Sequence, residues 1–154
     1  MTEPTAVRHE TAIPEEVRDL LQGQEICVLA TVFVDIPHLS LMGYSVSHDC
    51  RRLYMATEAG TKKVANIRRN PNVAVLMDTR QAAMDGGRGQ ALTVKGLCRV
   101  LPEGRERDKA LAELGERGYL QELLKGSDVA VLEVEAVSFH LVRGTHDSMF
   151  VTLK

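Results

Sequence analysis

The order and spacing of strand-like segments constrain this fold more than any other feature of the sequence. Six stretches show the β-branched content or the apolar–polar alternation that is typical of strands: 25–34, 37–47, 51–57, 72–78, 90–100 and 128–144. Turn-forming residues separate several of them, and the long helical crossovers that parallel strands need are scarce. Because a small antiparallel sheet loses its exposed edges when it closes, the sequence predicts a mainly β fold with flanking helices, built on a six-stranded antiparallel barrel.

Two of these segments carry more detailed predictions. The segment EICVLATVFV (25–34) is apolar almost without interruption, which predicts a central strand buried on both faces. It is expected to form an antiparallel meander with the next two strands. Gly96 interrupts the apolar face of the 90–100 strand. A glycine inside a strand predicts a bulge, a sharp bend as at a barrel corner, or a close approach by another backbone or a ligand.

Helical signals occur in three other segments. Pro14 begins a helix that ends near Gly23, and the NP pair at 70–71 ends a second helix over 61–69. A charged stretch after Pro102 has apolar residues at helical spacing and predicts one helix or two short ones. The residues after 144 are expected to form a polar tail.

Length, charge and cysteine content favour a single cytoplasmic domain. The 154 residues predict one domain over 13–154, preceded by a flexible lead-in over 1–12. A formal net charge of −2 predicts no general attraction to nucleic acid or anionic lipid, so we expect neither as a partner. No apolar run approaches the roughly 20 residues that cross a bilayer, and no leader pattern occurs. The three cysteines match no zinc or redox spacing, which predicts reduced thiols and no metal site.

The first turn of the 61–69 helix carries two lysines. Helix amino ends hold partial positive charge and unpaired N–H groups, so Lys62 and Lys63 are unfavourable there unless an anion lies nearby. Thr61 adds a hydroxyl group, and Gly60 would let the backbone approach a ligand closely. The cluster therefore indicates a local phosphate site, with a solvated basic surface as the alternative.

The segment 79–89 is a second candidate for ligand contact. Three of its last four residues are glycine, and it has no consistent period, which indicates a mobile or ligand-covering loop. Its MDGGRG stretch does not match the G-x-G-x-x-G pattern between a strand and a helix, which excludes a Rossmann-type dinucleotide site. Arg88 in this loop could cover a bound ligand or admit a second substrate.

Several quoted stretches follow one another in the order found in a known family. The strand PHLSLMGYS, then RRLYMAT, GTKKVANIRRNPNVAVLM and the glycine-interrupted LTVKGLCRVL resemble the pyridoxamine 5′-phosphate oxidase-related FMN-binding family over residues 24–145. The helix TKKVANIRRNP is the most specific part of this resemblance. The resemblance implies a split β-barrel homodimer that binds FMN at the subunit interface.

Position within the family's pattern also implies individual contacts with FMN. The phosphate-binding triplet falls on Thr61, Lys62 and Lys63. The strand that lines the flavin falls on four consecutive residues, and two more precede the phosphate turn: Ser40, Leu41, Met42 and Gly43, then Ala56 and Thr57. Gln90 lies one residue from a position where many members place a glutamine near the flavin, so a bulge would be needed to equate the two.

Departures from the family's pattern narrow the expected function. Members that act on pyridoxal-type substrates resemble one another in an arginine on the flavin strand and a tryptophan–arginine pair near the carboxyl end. Here position 40 is serine and the chain has no tryptophan, so vitamin B6 oxidation is not expected. The remaining relatives are a mixed set of small flavoproteins and haem-degrading proteins, and the resemblance does not choose among them. Our first hypothesis is an FMN-dependent oxidoreductase that transfers electrons or hydride between a nicotinamide or other donor and a small acceptor.

Two alternatives to this enzyme remain open. One is a flavin-binding electron carrier or store without turnover of its own. The other is a haem-binding relative, in which His38, His140 or His146 would have to be the axial ligand. His38 could also reach the phosphate or a substrate, and His146 could line the partner's pocket in a dimer, although both fit solvated surface residues as well.

Overall fold

One hydrogen-bonded sheet connects all strands in the described part of the computed structural model, which comprises residues 7–10, 12–80, 86, 89–116, 121–125, 128–144 and 147–154. The strands are β1 (Val7–Glu10), β2 (Ile26–Phe33), β3 (Ile36–Gly43), β4 (Ser45–Val46), β5 (Arg52–Glu58), β6 (Asn72–Asp78), β7 (Gln90–Val100), β8 (Val129–Arg143) and β9 (Asp147–Leu153). The helices are α1 (Glu15–Gly23), α2 (Lys62–Arg69), α3 (Arg105–Gly115) and α4 (Gln121–Leu124).

The long strand β8 organises the sheet because three strands pair with it. Along one edge it pairs with β7 over nearly its whole length. Its other edge is divided: Val129–Glu135 pair with β5, and Ser138–Arg143 pair with β9. The remaining order, β7-β6-β2-β3, continues the curl around one core.

The predicted fold class is confirmed: the chain is mainly β, an antiparallel split barrel with flanking helices. The six predicted segments correspond to β2, β3 with β4, β5, β6, β7 and β8. The prediction of a polar tail after residue 144 was wrong, because Met149 and Val151 of β9 are buried against β8. Within the segment predicted as a flexible lead-in, Val7–Glu10 pair in parallel with β9. The charged stretch after Pro102 forms two helices, α3 and α4.

Both antiparallel pairings of the predicted meander occur, but its middle strand is divided at Tyr44 into β3 and β4. Strands β2 and β3 form a hairpin, but β5 pairs with β4 and β8 and forms no ladder with β3. The chain changes direction at Tyr44, whose buried hydroxyl group donates a hydrogen bond to the Leu21 carbonyl oxygen at 2.6 Å. This bond fixes the chain between β3 and β4 against α1, and the short β4–β5 hairpin then carries β5 to β8.

The prediction that β2 is buried on both faces was wrong for a single chain. Cys27, Leu29 and Thr31 face the core and are buried, while the alternate side chains are partly exposed. Those alternate side chains belong to an apolar surface that we call the outer face. Its members lie on β2, β3, β6 and β7 and in the adjoining bulge of β8: Val28, Ala30, Val32, Leu39, Leu41, Ala74, Leu76, Leu97 and Val137.

The helices cover different parts of this sheet. Val17, Leu20 and Leu21 of α1 and Val64 and Ile67 of α2 belong to the main core. Helix α3 packs on the opposite side of β5 and β8 through two small clusters, Ala56 with Leu114 and Leu101 with Ala110 and Val131. No helix among the described residues is both long enough and apolar enough to cross a bilayer.

The bulge predicted at Gly96 is confirmed. The pairing of β7 with β8 shifts register between Lys95 and Gly96. A Cβ atom on Gly96 would lie 2.4 Å from the Glu135 carbonyl oxygen and 2.9 Å from a Val134 methyl group. The two backbones therefore approach more closely here than any residue with a side chain permits.

We expect the Gly96→Ala substitution to lower the free energy of unfolding by about 1–3 kcal/mol, since overpacking against a backbone atom forces β7 and β8 apart. Urea denaturation followed by circular dichroism measures this loss. Gly23→Ala is the matched control, because nothing lies within 4 Å of its added Cβ atom and the site is at a helix end. Equal stability of the two variants would contradict the close-approach argument.

Candidate functional site

The first turn of α2 is a basic helix end without a side-chain cap. Thr61 precedes the helix in an extended conformation, and its hydroxyl group donates to the Glu58 carbonyl oxygen at 3.0 Å rather than accepting from a helix N–H group. No acidic residue lies in this first turn. The first N–H groups of the helix therefore remain available to another acceptor, and the helix dipole adds partial positive charge at the same place. Both effects favour the binding of an anion.

Lys63 differs from its neighbour Lys62 in its surroundings. The Lys63 side chain is half-buried, and its Nζ atom donates to the Thr57 Oγ1 atom at 3.0 Å. Burial lowers the pKa of the Lys63 ammonium group, and the Glu58 carboxylate opposes this shift. Lys62 is exposed to solvent. A bound phosphate group would counter the desolvation of the Lys63 charge, so the pair is suited to an anion.

Helix α2 is fixed to the barrel by a buried polar contact that the sequence analysis missed. The Asn66 Nδ2 atom donates to the Thr31 Oγ1 atom of β2 at 3.1 Å, and both residues are almost fully buried. At the other end of the helix, the Arg69 guanidinium carbon lies 5.0 Å from the centre of the Phe33 ring. The only sequence signal was a polar residue, Asn66, beside Ile67 on the apolar side of the helix.

Strand β3 presents an open edge. Its ladder partner among the described residues is β2, so alternate N–H and C=O groups on its other edge are available to a ligand. Ser40, Met42 and Gly43 are partly or fully buried, whereas the Leu41 side chain is 74% exposed on the outer face. His38 lies directly across from Thr31, the residue that holds α2.

The two residues at the end of β5 face opposite sides of the sheet. The Thr57 side chain contacts Lys63. The Ala56 side chain is 3% exposed and packs against Leu114 of α3, so only its backbone can contact a ligand. The structure therefore brings Thr57, Thr61, Lys62 and Lys63 into one cluster.

Gln90 lies in a different environment. Its N–H group donates to the Thr79 Oγ1 atom at 2.8 Å, and its carbonyl oxygen accepts from the Thr79 N–H group at 2.9 Å. From Gln90 to Lys95 the pairing of β7 with β8 has no register shift. Gln90 thus contacts the β6–β7 connection rather than α2. His146, Arg88 and most of the 79–89 loop lie outside the described residues.

The remaining reactive side chains offer little catalytic chemistry. Burial raises the pKa of the Cys27 and Cys98 thiols to about 12, so both stay protonated at neutral pH. The His140 ring packs at 5.7 Å from the Phe150 ring. Among the described residues, no group of three or more His, Cys, Asp or Glu side chains is arranged to hold a metal ion.

Two cavities open on the outer face. One, of about 490 Å³, is lined in part by Ile26, Leu41 and Leu76, with Asp78 and Arg80 also in its wall. The other, of about 300 Å³, lies farther along the sheet between Ala30, Leu97 and Val137 and their neighbours. Both have apolar walls that suit a planar ring more than an ion.

Comparison with known proteins gives consistent matches. A family model described as pyridoxamine 5′-phosphate oxidase matches residues 13–141. A pyridoxamine 5′-phosphate oxidase homolog of Schizosaccharomyces pombe is 23% identical over 158 aligned residues, which cover 81% of this chain and 82% of the relative.

Similar folds also occur among solved structures. An FAD-binding protein of Mesorhizobium loti superposes with a TM-score of 0.71 at 20% identity, covering 84% of this chain and 94% of that chain. A haem-binding protein of Mycobacterium smegmatis gives a TM-score of 0.78 at 20% identity, covering 90% of this chain and 57% of that one. At this level of identity, these likenesses establish the fold.

Proposed function

Since the chain belongs to the pyridoxamine 5′-phosphate oxidase family, we propose that it is an FMN-binding flavoprotein. We further propose that it is an oxidoreductase, which transfers electrons or hydride between a nicotinamide or other donor and a small acceptor. The observation that carries the proposal is the uncapped, doubly basic start of α2, with Lys63 half-buried against Thr57.

The phosphate group of FMN fits this helix end for electrostatic reasons. It would accept hydrogen bonds from the first N–H groups of α2 and from the ammonium groups of Lys62 and Lys63. The ammonium group of Lys63 already contacts Thr57, and the Thr61 hydroxyl group lies on the adjoining turn. These four residues are therefore our proposed phosphate site.

The flavin ring would lie along β3. The open backbone edge over Ser40–Gly43 offers hydrogen-bond donors and acceptors, and Leu41 adds an apolar surface beside a cavity. FMN supplies the redox chemistry when it is bound, and the chain supplies orientation and exclusion of water. No side-chain acid or nucleophile is then required, which agrees with the inert thiols of Cys27 and Cys98.

We propose that a second copy of the chain covers the outer face and completes the site. Leu39 and Leu41 are 67% and 74% exposed, and Leu76, Leu97 and Val137 extend the same apolar surface. Contiguous apolar surfaces of this kind mark interaction sites on soluble proteins. Because Leu41 belongs both to this face and to the proposed flavin strand, the flavin would lie at the subunit interface of a homodimer.

Two other functions remain as rivals. A flavin carrier without turnover would use the same binding residues. A haem protein is favoured by the likeness to the Mycobacterium smegmatis structure, and among the described residues His38 and His140 are the axial candidates that we considered. The basic start of α2 favours a phosphorylated cofactor over haem.

A reducing compartment agrees with the state of the cysteines. Cys27, Cys50 and Cys98 are all buried and form no disulfide. Disulfides are rare in the cytoplasm, so we propose a cytoplasmic location.

The first test identifies the cofactor. Freshly purified protein, or protein titrated with the free cofactor, should show flavin absorption bands, and mass spectrometry of the extract should give FMN. Bleaching by NADH or NADPH would support the oxidoreductase, whereas reduction by dithionite alone would support the carrier. A Soret band, or FAD as the extracted species, would contradict the FMN assignment.

The second test removes the proposed phosphate contacts. We expect the double substitution Lys62→Ala/Lys63→Ala to weaken FMN binding by about 2–4 kcal/mol, because charge-assisted hydrogen bonds to a phosphate are lost at a partly exposed site. Isothermal titration of apoprotein with FMN measures this change.

The control for that experiment changes the same net charge elsewhere. Arg105→Ala/Lys125→Ala removes two exposed cations, one at the start of α3 and one directly after α4. Its FMN affinity should stay within about 0.5 kcal/mol of the parent protein. If both double variants bind FMN equally well, the phosphate does not lie at the start of α2.

The third test concerns the homodimer. Placing a carboxylate in the outer face with Leu41→Asp should convert a dimer to monomers and weaken FMN binding together, since burying an unpaired charge is costly. Sedimentation equilibrium gives the mass. Ala112→Asp adds the same charge on the exposed side of α3 and should leave the dimer intact. A monomeric parent protein that still binds FMN would overturn the interface proposal.

A further inference from the structure

A polar groove lies between the end of α1, β4 and α3, on elements other than those of the proposed cofactor site. Its volume is about 650 Å³. Polar and charged side chains line most of it: Gln22, Glu25, Ser45, His48, Glu113 and Glu116. We call it the acidic groove, because three of these residues carry carboxylates.

Ser45 in the wall of this groove is an anomaly. The residue is 6% exposed, and its buried Oγ atom has no hydrogen-bond partner among the described residues. It lies directly across from Tyr54 in the β4–β5 ladder, on the side of the sheet that faces α3. Buried hydroxyl groups are nearly always paired, and an unpaired one costs stability. A ligand in the groove would provide the missing partner.

The charge of the Glu113 carboxylate is not paired with a cation among the described residues. Glu113 on α3 is half-buried, and the described residues give its carboxylate no hydrogen bond or ion pair. No Lys or Arg side chain is among the described residues that line the groove. At the rim, Arg18 donates to the His48 carbonyl oxygen at 3.1 Å. A cleft lined by one sign of charge concentrates ligands of the other sign.

The adjoining cavity does not supply the missing cation. This cavity, of about 550 Å³, shares Ser47, His48 and Glu113 with the groove, and its cations are Arg52, Arg99 and Lys109. The Arg99 side chain is already bound on both sides, with its Nε atom 3.0 Å from Glu133 and a terminal nitrogen 2.8 Å from Glu106. Arg52 and Lys109 form no ion pair with Glu113 in the part of the chain that the structure describes, so the Glu113 carboxylate is available to a ligand from solvent.

Size and geometry favour an organic cation over a metal ion. The carboxylates are spread along the groove, and the described residues form no cluster of three acidic, His or Cys side chains that could hold a metal. The volume lies in the range of small-molecule sites. We propose that the acidic groove binds a small aliphatic amine with primary ammonium groups, which donates hydrogen bonds to the Glu113 carboxylate and to the Ser45 Oγ atom.

The test uses 1,4-diaminobutane as the probe, with uncharged 1,4-butanediol as its matched control, in isothermal titrations of the full chain. The amine should bind saturably at one site per chain, and the diol should not. Glu113→Gln should weaken amine binding at least fivefold, while Glu103→Gln, an exposed carboxylate outside the groove, should leave it unchanged. Ser45→Ala should weaken binding at least twofold.

Two results would overturn this proposal. One is the absence of saturable heat with the amine. The other is equal amine affinity in Glu113→Gln and Glu103→Gln, which would indicate general attraction to surface carboxylates. Since Glu113 lies on a helix surface, its variant keeps the test valid even if Ser45→Ala does not fold. Neither result bears on flavin binding, because the groove and α2 share no residue.

Discussion

The division of β8 between two partners on one edge is the constraint on which the rest of the structure depends. Strand β7 follows one edge of β8 almost throughout, while β5 and β9 share the other. The bulge lies opposite Gly96, in the Ala136–Ser138 stretch of β8. There the pairing of β8 with the first residue of β5 gives way to its pairing with the end of the β9 ladder, at Thr152. A bulge increases the local twist and bends a strand, so the two halves of β8 can serve differently oriented partners. The curl that results encloses the core and leaves an end for α2 to cover.

Helix α2 combines a structural role with an electrostatic one. Its apolar residues Val64 and Ile67 belong to the main core, and Asn66 binds Thr31 inside it. These contacts fix the helix, so its uncapped start is held in place before any ligand arrives. Lys63 then keeps part of its charge out of water beside Thr57. Preorganisation of this kind reduces the entropy that a ligand must lose on binding.

Local patterns were predictable from the sequence, and long-range pairing was less so. The alternation of residues 90–100 and the glycine at 96 gave both the bounds of β7 and the position of the bulge that faces it, because these depend on neighbouring residues. The pairing of β5 with β8 was not predictable, since the break between β3 and β4 at Tyr44 depends on a hydrogen bond to Leu21, 23 residues away. In the site, the sequence was enough to single out Lys62 and Lys63, because two positive charges at the amino end of a helix are electrostatically unfavourable. The Asn66–Thr31 contact was not, because it joins residues 35 apart.

Strand β5 separates the α3 layer from the Lys63 side chain of α2 by the thickness of a single backbone. Ala56 on one side supports Leu114 of α3, and its neighbour Thr57 on the other side holds the ammonium group of Lys63. Because the two side chains are attached to consecutive Cα atoms, a displacement of α3 at this point would also move the backbone that carries the Lys63 contact. Substitutions in the α3 layer are remote from α2 along the chain. They would nevertheless shift the position of the Lys63 ammonium group slightly.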